Sequence, residues 1–217
     1  MAHPLYRRRD LTLTEAARLF MTYPNAKTLL PLTAATIATR LALRRFTKRD
    51  TAILAATTAI EPFVEWLIHV NVLHLTPRTF RGKTYELPSS KKHRLHHMDP
   101  HNPDILFVPA LPATLLGLAA ANWTILRTPR HTLTGMATSF TLLTAYEWTH
   151  FLIHSAYTPK STLYRKLRRT HQLHHFRNEN YWYGIITPIS DKALGTYPAK
   201  EEVPPSPTVK TLGVTAP

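Results

Sequence analysis

The sequence predicts an all-α protein: integral membrane helical hairpins that carry a histidine-rich cap at one membrane face. Three observations lead there. Hydrophobic residues make up 44% of the 217-residue chain and are gathered into long stretches flanked by Arg and Lys. Ten of the 13 histidines fall into four short clusters, and the pattern of clusters occurs twice along the chain. The formal charge is +14, which calls for an anionic partner surface. The long apolar stretches make that surface phospholipid. Nucleic acid would need basic residues beside a recognisable binding module, and none is present. The absence of cysteine excludes disulfides, thiolate metal sites and a cysteine nucleophile. Any metal must be held by nitrogen and oxygen.

Residues 1–27 form an amphipathic N-terminal segment. Arg7, Arg8 and Arg9 have no apolar core directly behind them, so a cleavable signal peptide is not expected. Thr12 and Glu15 make a capping box for a short helix ending near Tyr23-Pro24. Its apolar positions Leu13, Ala16, Ala17 and Phe20 recur at helical spacing beside Arg18. Such a helix lies on a membrane surface or packs on the body.

Residues 28–197 read as one domain with four apolar segments. The first, Thr28 to Leu43, is short for a span, which needs about 20 residues. The second, Thr51 to Leu75, is long enough but contains Pro62, which should kink it, and the carboxylates Glu61 and Glu65. The third, Ile105 to Leu126, carries no charge, and the fourth, Thr132 to Ser155, is apolar first and then polar. Pairing them as two hairpins delivers all four histidine clusters to the same side. Of the 27 Lys and Arg, 20 fall on that side, which makes it cytosolic. The turn from Arg44 to Arg49 puts four charges on the other side, so two full spans with two shallow ones is the alternative. Residues 198–217 lack periodicity and read as a disordered tail.

The clusters are His69 and His74, then His93, His96 and His97, then His150 and His154, then His171, His174 and His175. A Glu-Trp dipeptide opens each pair, Glu65-Trp66 and Glu147-Trp148, and each triplet reads H-x-x-H-H. On a helix, positions i, i+3 and i+4 share a face, so each triplet is expected to aim three imidazoles at one point. His150 and His154 do likewise. His69 and His74, five apart, require a π-bulge or a helix end to turn both inward. His3, His101 and His131 match no cluster and read as bystanders. Ten imidazoles exceed the roughly four to six ligands of one zinc or iron ion. Two ions fit the count, each with about five nitrogens and an open position. An open, all-nitrogen pair suits iron and oxygen chemistry, although imidazole also accepts zinc, copper or nickel. Glu65 and Glu147 share helix faces with histidines and are expected to accept imidazole N–H bonds, or else to pair with Arg or Lys from the loops.

At these residues the chain resembles the sterol desaturase and fatty acid hydroxylase superfamily of membrane non-haem di-iron enzymes. The resemblance runs from about Ile60 to Tyr197 and rests on the four histidine clusters, the stretch Glu147-Trp148-Thr149-His150-Phe151-Leu152-Ile153-His154 and the run from Asn180 to Pro188. That last run, with Asp191 shortly after it, is most similar to the fatty acid 2-hydroxylase branch. Asn102 and Ile105 depart from that branch, which carries an Asp and an Arg there. The resemblance implies that all ten clustered histidines bind two iron ions (zinc in some purified forms). It implies that O2 and two external electrons serve to hydroxylate an alkyl chain of a lipid or fatty acid. No cytochrome b-type domain is expected within this length, so electrons would come from a separate donor protein. Asn102, Tyr181 and Tyr183 are candidates for the substrate pocket, though the aromatics near the last triplet fit an interfacial belt as well. A lipid desaturase or a carotenoid hydroxylase is the alternative within the superfamily. Outside it stand a dizinc membrane hydrolase and a non-enzymatic metal-binding protein. The abundance of Ala, Thr, Arg and Pro points to a bacterial cytoplasmic membrane rather than endoplasmic reticulum.

Overall fold

The longest helix, α6 (Pro129–His154), is the post around which the others stand, and it packs against α1 (Leu13–Phe20), α2 (Pro24–Ala42), α3 (Lys48–Ile68), α5 (Leu111–Leu126) and α7 (Thr162–Phe176). The computed structural model describes residue 8 and residues 11–214, so His3, Arg7 and Arg9 lie outside the described residues. The Thr12–Glu15 capping box is present and starts α1. Ala16, Leu19 and Phe20 of α1 are buried. The Phe20 ring lies 5.2 Å from Trp148 and 5.5 Å from Phe151, so α1 packs on the body. Pro24 occupies the first turn of α2, where its fixed φ suits a helix start and its missing N–H costs nothing. That is why α2 begins ahead of the expected Thr28.

A second capping box, Thr47 with Asp50, starts α3. Pro62 lies inside α3 without ending it. The helix then widens into a π-helical turn over His69–Leu73. This is the local device that the five-residue spacing of His69 and His74 required. A two-stranded hairpin follows, β1 (Arg78–Phe80) paired with β2 (Lys83–Tyr85), a small addition to a mostly helical chain that is consistent with the all-α expectation. Its turn residues Arg81 and Gly82 have φ of 50° and 75°, a two-residue loop whose twist matches the paired strands. Next come α4 (Pro88–Met98) and an irregular stretch that carries Leu106 and Phe107 into the core. That stretch replaces the start of the third apolar segment, so α5 begins at Leu111 and not at Ile105. After α7, among the described residues, only α8 (Ile189–Ala193) and a 3-10 turn at Lys200–Glu202 are regular.

The end of the bundle remote from the histidines is tied by a buried ionic cluster. Asp50, fully buried, takes Arg40 Nη2 at 2.8 Å, Arg130 Nη2 at 2.9 Å and the Thr134 hydroxyl at 2.8 Å. It joins α2, α3 and α6 at one point. At the other end, the described residues of the C-terminal segment pack on the body. Val203 and Leu212 are buried. Arg177 Nε donates to Val203 O at 2.7 Å, and Ser206 N–H to Arg177 O at 2.7 Å. A segment without helical periodicity is held here by side-chain-to-backbone bonds, which hydropathy does not register.

Among the described residues one helical stretch, Lys48–Leu73, is long and apolar enough to cross a membrane, and Leu111–Leu126 is a shorter apolar helix.

Candidate metal centre

Four elements converge on the histidines. The π-helical turn presents His69 and is followed at once by His74. The C-terminal half of α4 carries His93, His96 and His97, the last turns of α6 carry His150 and His154, and α7 carries His171, His174 and His175. All ten are assembled into two groups of five, and within each group one ring nitrogen per residue lies within 4.8 Å of all the others. The first, the His69 group, contains His69, His74, His93, His97 and His174. The second, the His150 group, contains His96, His150, His154, His171 and His175. Nine of the ten are buried, and His74 is half-buried.

The triplets do not aim at one point. In α4 the i and i+4 histidines, His93 and His97, enter the His69 group while His96 crosses to the other. In α7 His171 and His175 enter the His150 group while His174 crosses back. The groups abut where the His97 and His175 rings lie 4.1 Å apart.

Within the groups, ring nitrogens face one another at distances that a shared cation would explain. His69 Nε2 lies 3.1 Å from His93 Nε2, His171 Nε2 lies 2.9 Å from His154 Nε2, and His175 Nε2 lies 3.0 Å from His171 Nε2. Metal–nitrogen bonds of about 2.1 Å place adjacent ligands of an octahedron about 3.0 Å apart. Several further nitrogens are buried without a protein partner, among them Nε2 of His74, His97 and His174 and both ring nitrogens of His96 and His150. A buried polar atom without a partner is costly, and a cation centred in each group would satisfy one nitrogen on each ring. The protonation states agree. Burial holds the His97 imidazole down at about 3, and it drives His93, His96, His171, His174 and His175 well below the usual range, with neighbouring histidines adding to the effect. Neutral imidazole is the form that ligates a metal.

The acceptors that orient these rings are not the carboxylates expected from the sequence. Glu65 accepts Ile185 N–H at 2.5 Å, and Glu147 accepts Asn25 Nδ2 at 2.8 Å and Val108 N–H at 3.0 Å. Each ties a loop to its helix, and neither bonds an imidazole. Backbone carbonyls do that work. His69 Nδ1 lies 2.9 Å from Tyr183 O, His174 Nδ1 2.8 Å from Tyr181 O and His97 Nδ1 2.9 Å from Val209 O. Sequence reasoning missed all three, because any residue can supply a carbonyl. Asp191 holds the Tyr181–Tyr183 turn by accepting Tyr183 N–H at 3.0 Å, Gly184 N–H at 2.7 Å and the Thr196 hydroxyl at 2.6 Å. A Cβ on Gly184 would lie 2.2 Å from Thr187 O, so the turn requires glycine. Gly184 was legible as a member of the run from Asn180 to Pro188 and Asp191 as the acid shortly after it, both without a role.

The pocket candidates separate. Tyr183 is buried, with its ring 5.2 Å from His69, 5.5 Å from His74 and 5.2 Å from His174. Tyr181 contributes its carbonyl and packs its ring on Trp182. Asn102 Oδ1 accepts Asp104 N–H at 3.1 Å within its own turn. The two described bystanders, His101 and His131, stay outside both groups. His131 Nδ1 bonds the Thr128 hydroxyl at the start of α6, and His101 Nδ1 donates to His154 O at 3.1 Å.

Comparison with known proteins agrees with this arrangement. The sequence model of the fatty acid hydroxylase family matches residues 54–196, which include every clustered histidine. The chain is 29% identical over 145 residues to the dihydroceramide fatty acyl 2-hydroxylase FAH2 of Arabidopsis thaliana, a match covering 62% of this chain and 56% of that protein. It is 27% identical over 139 residues to FAH1 of the same plant, covering 63% and 56%. The chain thus spans a little over half the length of these relatives. Among solved structures, full-length scs7p, in which only the hydroxylase domain is visible, has the same fold, with a TM-score of 0.67 at 18% identity over 86% of this chain and 69% of that one. With the family match running through both histidine groups, the chain belongs to the fatty acid hydroxylase family.

Proposed function

We propose that the protein is a membrane-embedded hydroxylase that places one oxygen of O2 on the acyl chain of a lipid, with two iron ions held by the ten clustered histidines. The observation that carries this reading is the pair of buried five-imidazole groups with their unpartnered ring nitrogens. A neutral, all-nitrogen, incompletely filled shell suits a redox metal that must bind a further ligand. The balance is R–H + O2 + 2 e⁻ + 2 H⁺ → R–OH + H2O. Iron would supply the activation of O2 and the removal of hydrogen from an unactivated C–H bond.

The chain's own residues supply the rest. His69, His97 and His174 are turned inward by carbonyls on their outer nitrogens, which fixes tautomer and ring angle. Burial keeps bulk water from the centre, and Tyr183 walls the His69 group beside its half-buried member, His74. Large apolar side chains point outward on α2, α3 and α5, with Leu41 63%, Ile60 57%, Leu116 72% and Ile125 76% exposed. They favour a lipid surround, with the apolar parts of α2, α3, α5 and α6 in the bilayer and the histidines at the cytosolic face of a bacterial membrane. The plant relatives' names specify an acyl group on dihydroceramide and its 2-position. An acyl chain is the substrate class carried over here, and a separate protein is the electron donor.

The test is lipid mass spectrometry on cells with and without the protein, supplied with a reductase system, alongside iron and zinc analysis of detergent-purified protein. The expected result is a lipid gaining one oxygen, with fragmentation locating the carbon, and iron bound. Loss of two hydrogens would show desaturation instead. Unchanged lipids together with zinc alone would refute the proposal.

A further inference from the structure

The two histidine groups match in composition and differ in how their rings are held. Three rings of the His69 group have Nδ1 on a backbone carbonyl, at 2.8–2.9 Å. Among the described residues the His150 group has no such bond. Both nitrogens of His96 and His150, and Nδ1 of His171 and His175, are buried with no protein partner. The three carbonyls all come from chain downstream of the last triplet. Two belong to the turn that Asp191 braces. The third, Val209 O, belongs to a C-terminal strap, pinned by Arg177 Nε to Val203 O, by Asn178 Nδ2 to Pro204 O at 3.2 Å and by the Thr208 hydroxyl to Glu179 Oε1.

We propose that the two metal centres are unequal. The His69 group is the preorganised, tight site. The His150 group is the loose site that exchanges its ion first, and the C-terminal strap is a positioning element that acts on the tight site through His97. This rests on the metal-binding reading above and goes beyond it. A ring held by a carbonyl has its tautomer and angle settled before the ion arrives, and its free nitrogen is made more basic. A ring without a partner must be ordered by the ion itself, and that ordering subtracts from affinity. Loss of one such outer partner typically lowers metal affinity by about 10–100-fold. Three against none therefore predicts a gap of at least about 100-fold between the sites.

The experiment titrates full-length, metal-free protein in detergent with Co(II) and then strips it with chelators of graded strength, following cobalt per chain and the visible Co(II) spectrum. Two steps are expected, separated by at least about 100-fold in affinity. His150→Ala should abolish the weak step and leave the strong one. Thr208→Val, which touches no ring, should weaken the strong step by about 10-fold and shift its spectrum while sparing the weak step. Glu179→Gln, which alters the other side of that anchor, should act in the same direction. Release of both ions in one step would overturn the inequality while leaving the metal-centre reading intact. So would a strap variant that weakens only the loose site. Absence of cobalt binding would overturn both.

Discussion

Asp191→Ala tests whether the turn after the last triplet is what orients the first metal group. The carboxylate receives the Tyr183 and Gly184 N–H groups and the Thr196 hydroxyl. Alanine strands two buried N–H donors at about 1–3 kcal/mol each, while the hydroxyl can turn to another acceptor. The expected cost is about 4 kcal/mol, and at roughly 2–4 °C per kcal/mol for a chain of this size the thermal midpoint should fall by about 8–16 °C. The damage should be local as well, since Tyr183 O is the acceptor for His69 Nδ1. Metal bound per chain should drop even well below the melting range, and this separates a site effect from general destabilisation. Asp191→Asn, which retains one acceptor oxygen, should show a smaller loss of both. The assays are thermal denaturation in detergent and elemental analysis at a temperature where both proteins are folded. A midpoint within about 2 °C of the parent and unchanged metal content would refute the reasoning.

Asp50→Ala should destabilise the protein by about 3–5 kcal/mol, because it leaves Arg40 buried without its counter-charge. Metal content should stay normal at low temperature, because this cluster lies at the far end of the bundle, and chemical denaturation with metal analysis checks both. His97→Ala and His174→Ala should abolish hydroxylation and lower metal content, whereas His131→Ala, whose ring bonds the Thr128 hydroxyl at the start of α6, should do neither. Equal loss from all three would show that ligand and bystander histidines were sorted wrongly. The metal-free protein should lose stability as the pH falls. An unfolded imidazole takes up a proton near 6.5, while folded His97 does so only at about 3. The unfolded state therefore binds more protons throughout that window. Denaturation midpoints of metal-free protein at pH 7.5 and pH 5 that coincide would contradict the burial argument.

The legible parts of this molecule are those in which side-chain identity does the work. Four apolar segments and their order follow from hydropathy, and the π-helical turn follows from the five-residue gap between His69 and His74. Ten histidines in a doubled pattern pointed to their neighbourhood. What escaped is carried by the backbone. The carbonyls of Tyr181, Tyr183 and Val209 orient imidazoles, yet nothing about Val209 as a residue type says so. The strap around it has no periodicity and looked disordered, although buried Val203 and Leu212 anchor it. Helical spacing puts Glu65 and Glu147 on the faces that carry histidines, but their partners are Ile185 N–H, Val108 N–H and the side-chain amide of Asn25 in α2, all distant in sequence. Helical spacing states which face a side chain occupies. It does not state which chain arrives to meet it.

The same limit explains the triplets and leads to a further prediction. At about 100° per residue, i+4 lies about 40° round the helix from i, whereas i+3 lies about 60° the other way. The two adjacent histidines of H-x-x-H-H thus diverge by about 100°, too far for one ion beside a single helix. The outer pair serves one group and the middle histidine must serve the other. His96, although it lies in the first half of the sequence, belongs with His150, and His174 belongs with His69. Neither half can complete its group alone, so loss of metal should track spatial group and ignore sequence position. His96→Ala combined with His150→Ala should remove ligands from one centre only and leave about one ion per chain, because the two changes act on the same site and are not additive. His96→Ala combined with its near neighbour His93→Ala should damage both centres and leave almost none. If the adjacent pair retains more metal than the distant pair, the division of the triplets between the two groups is wrong.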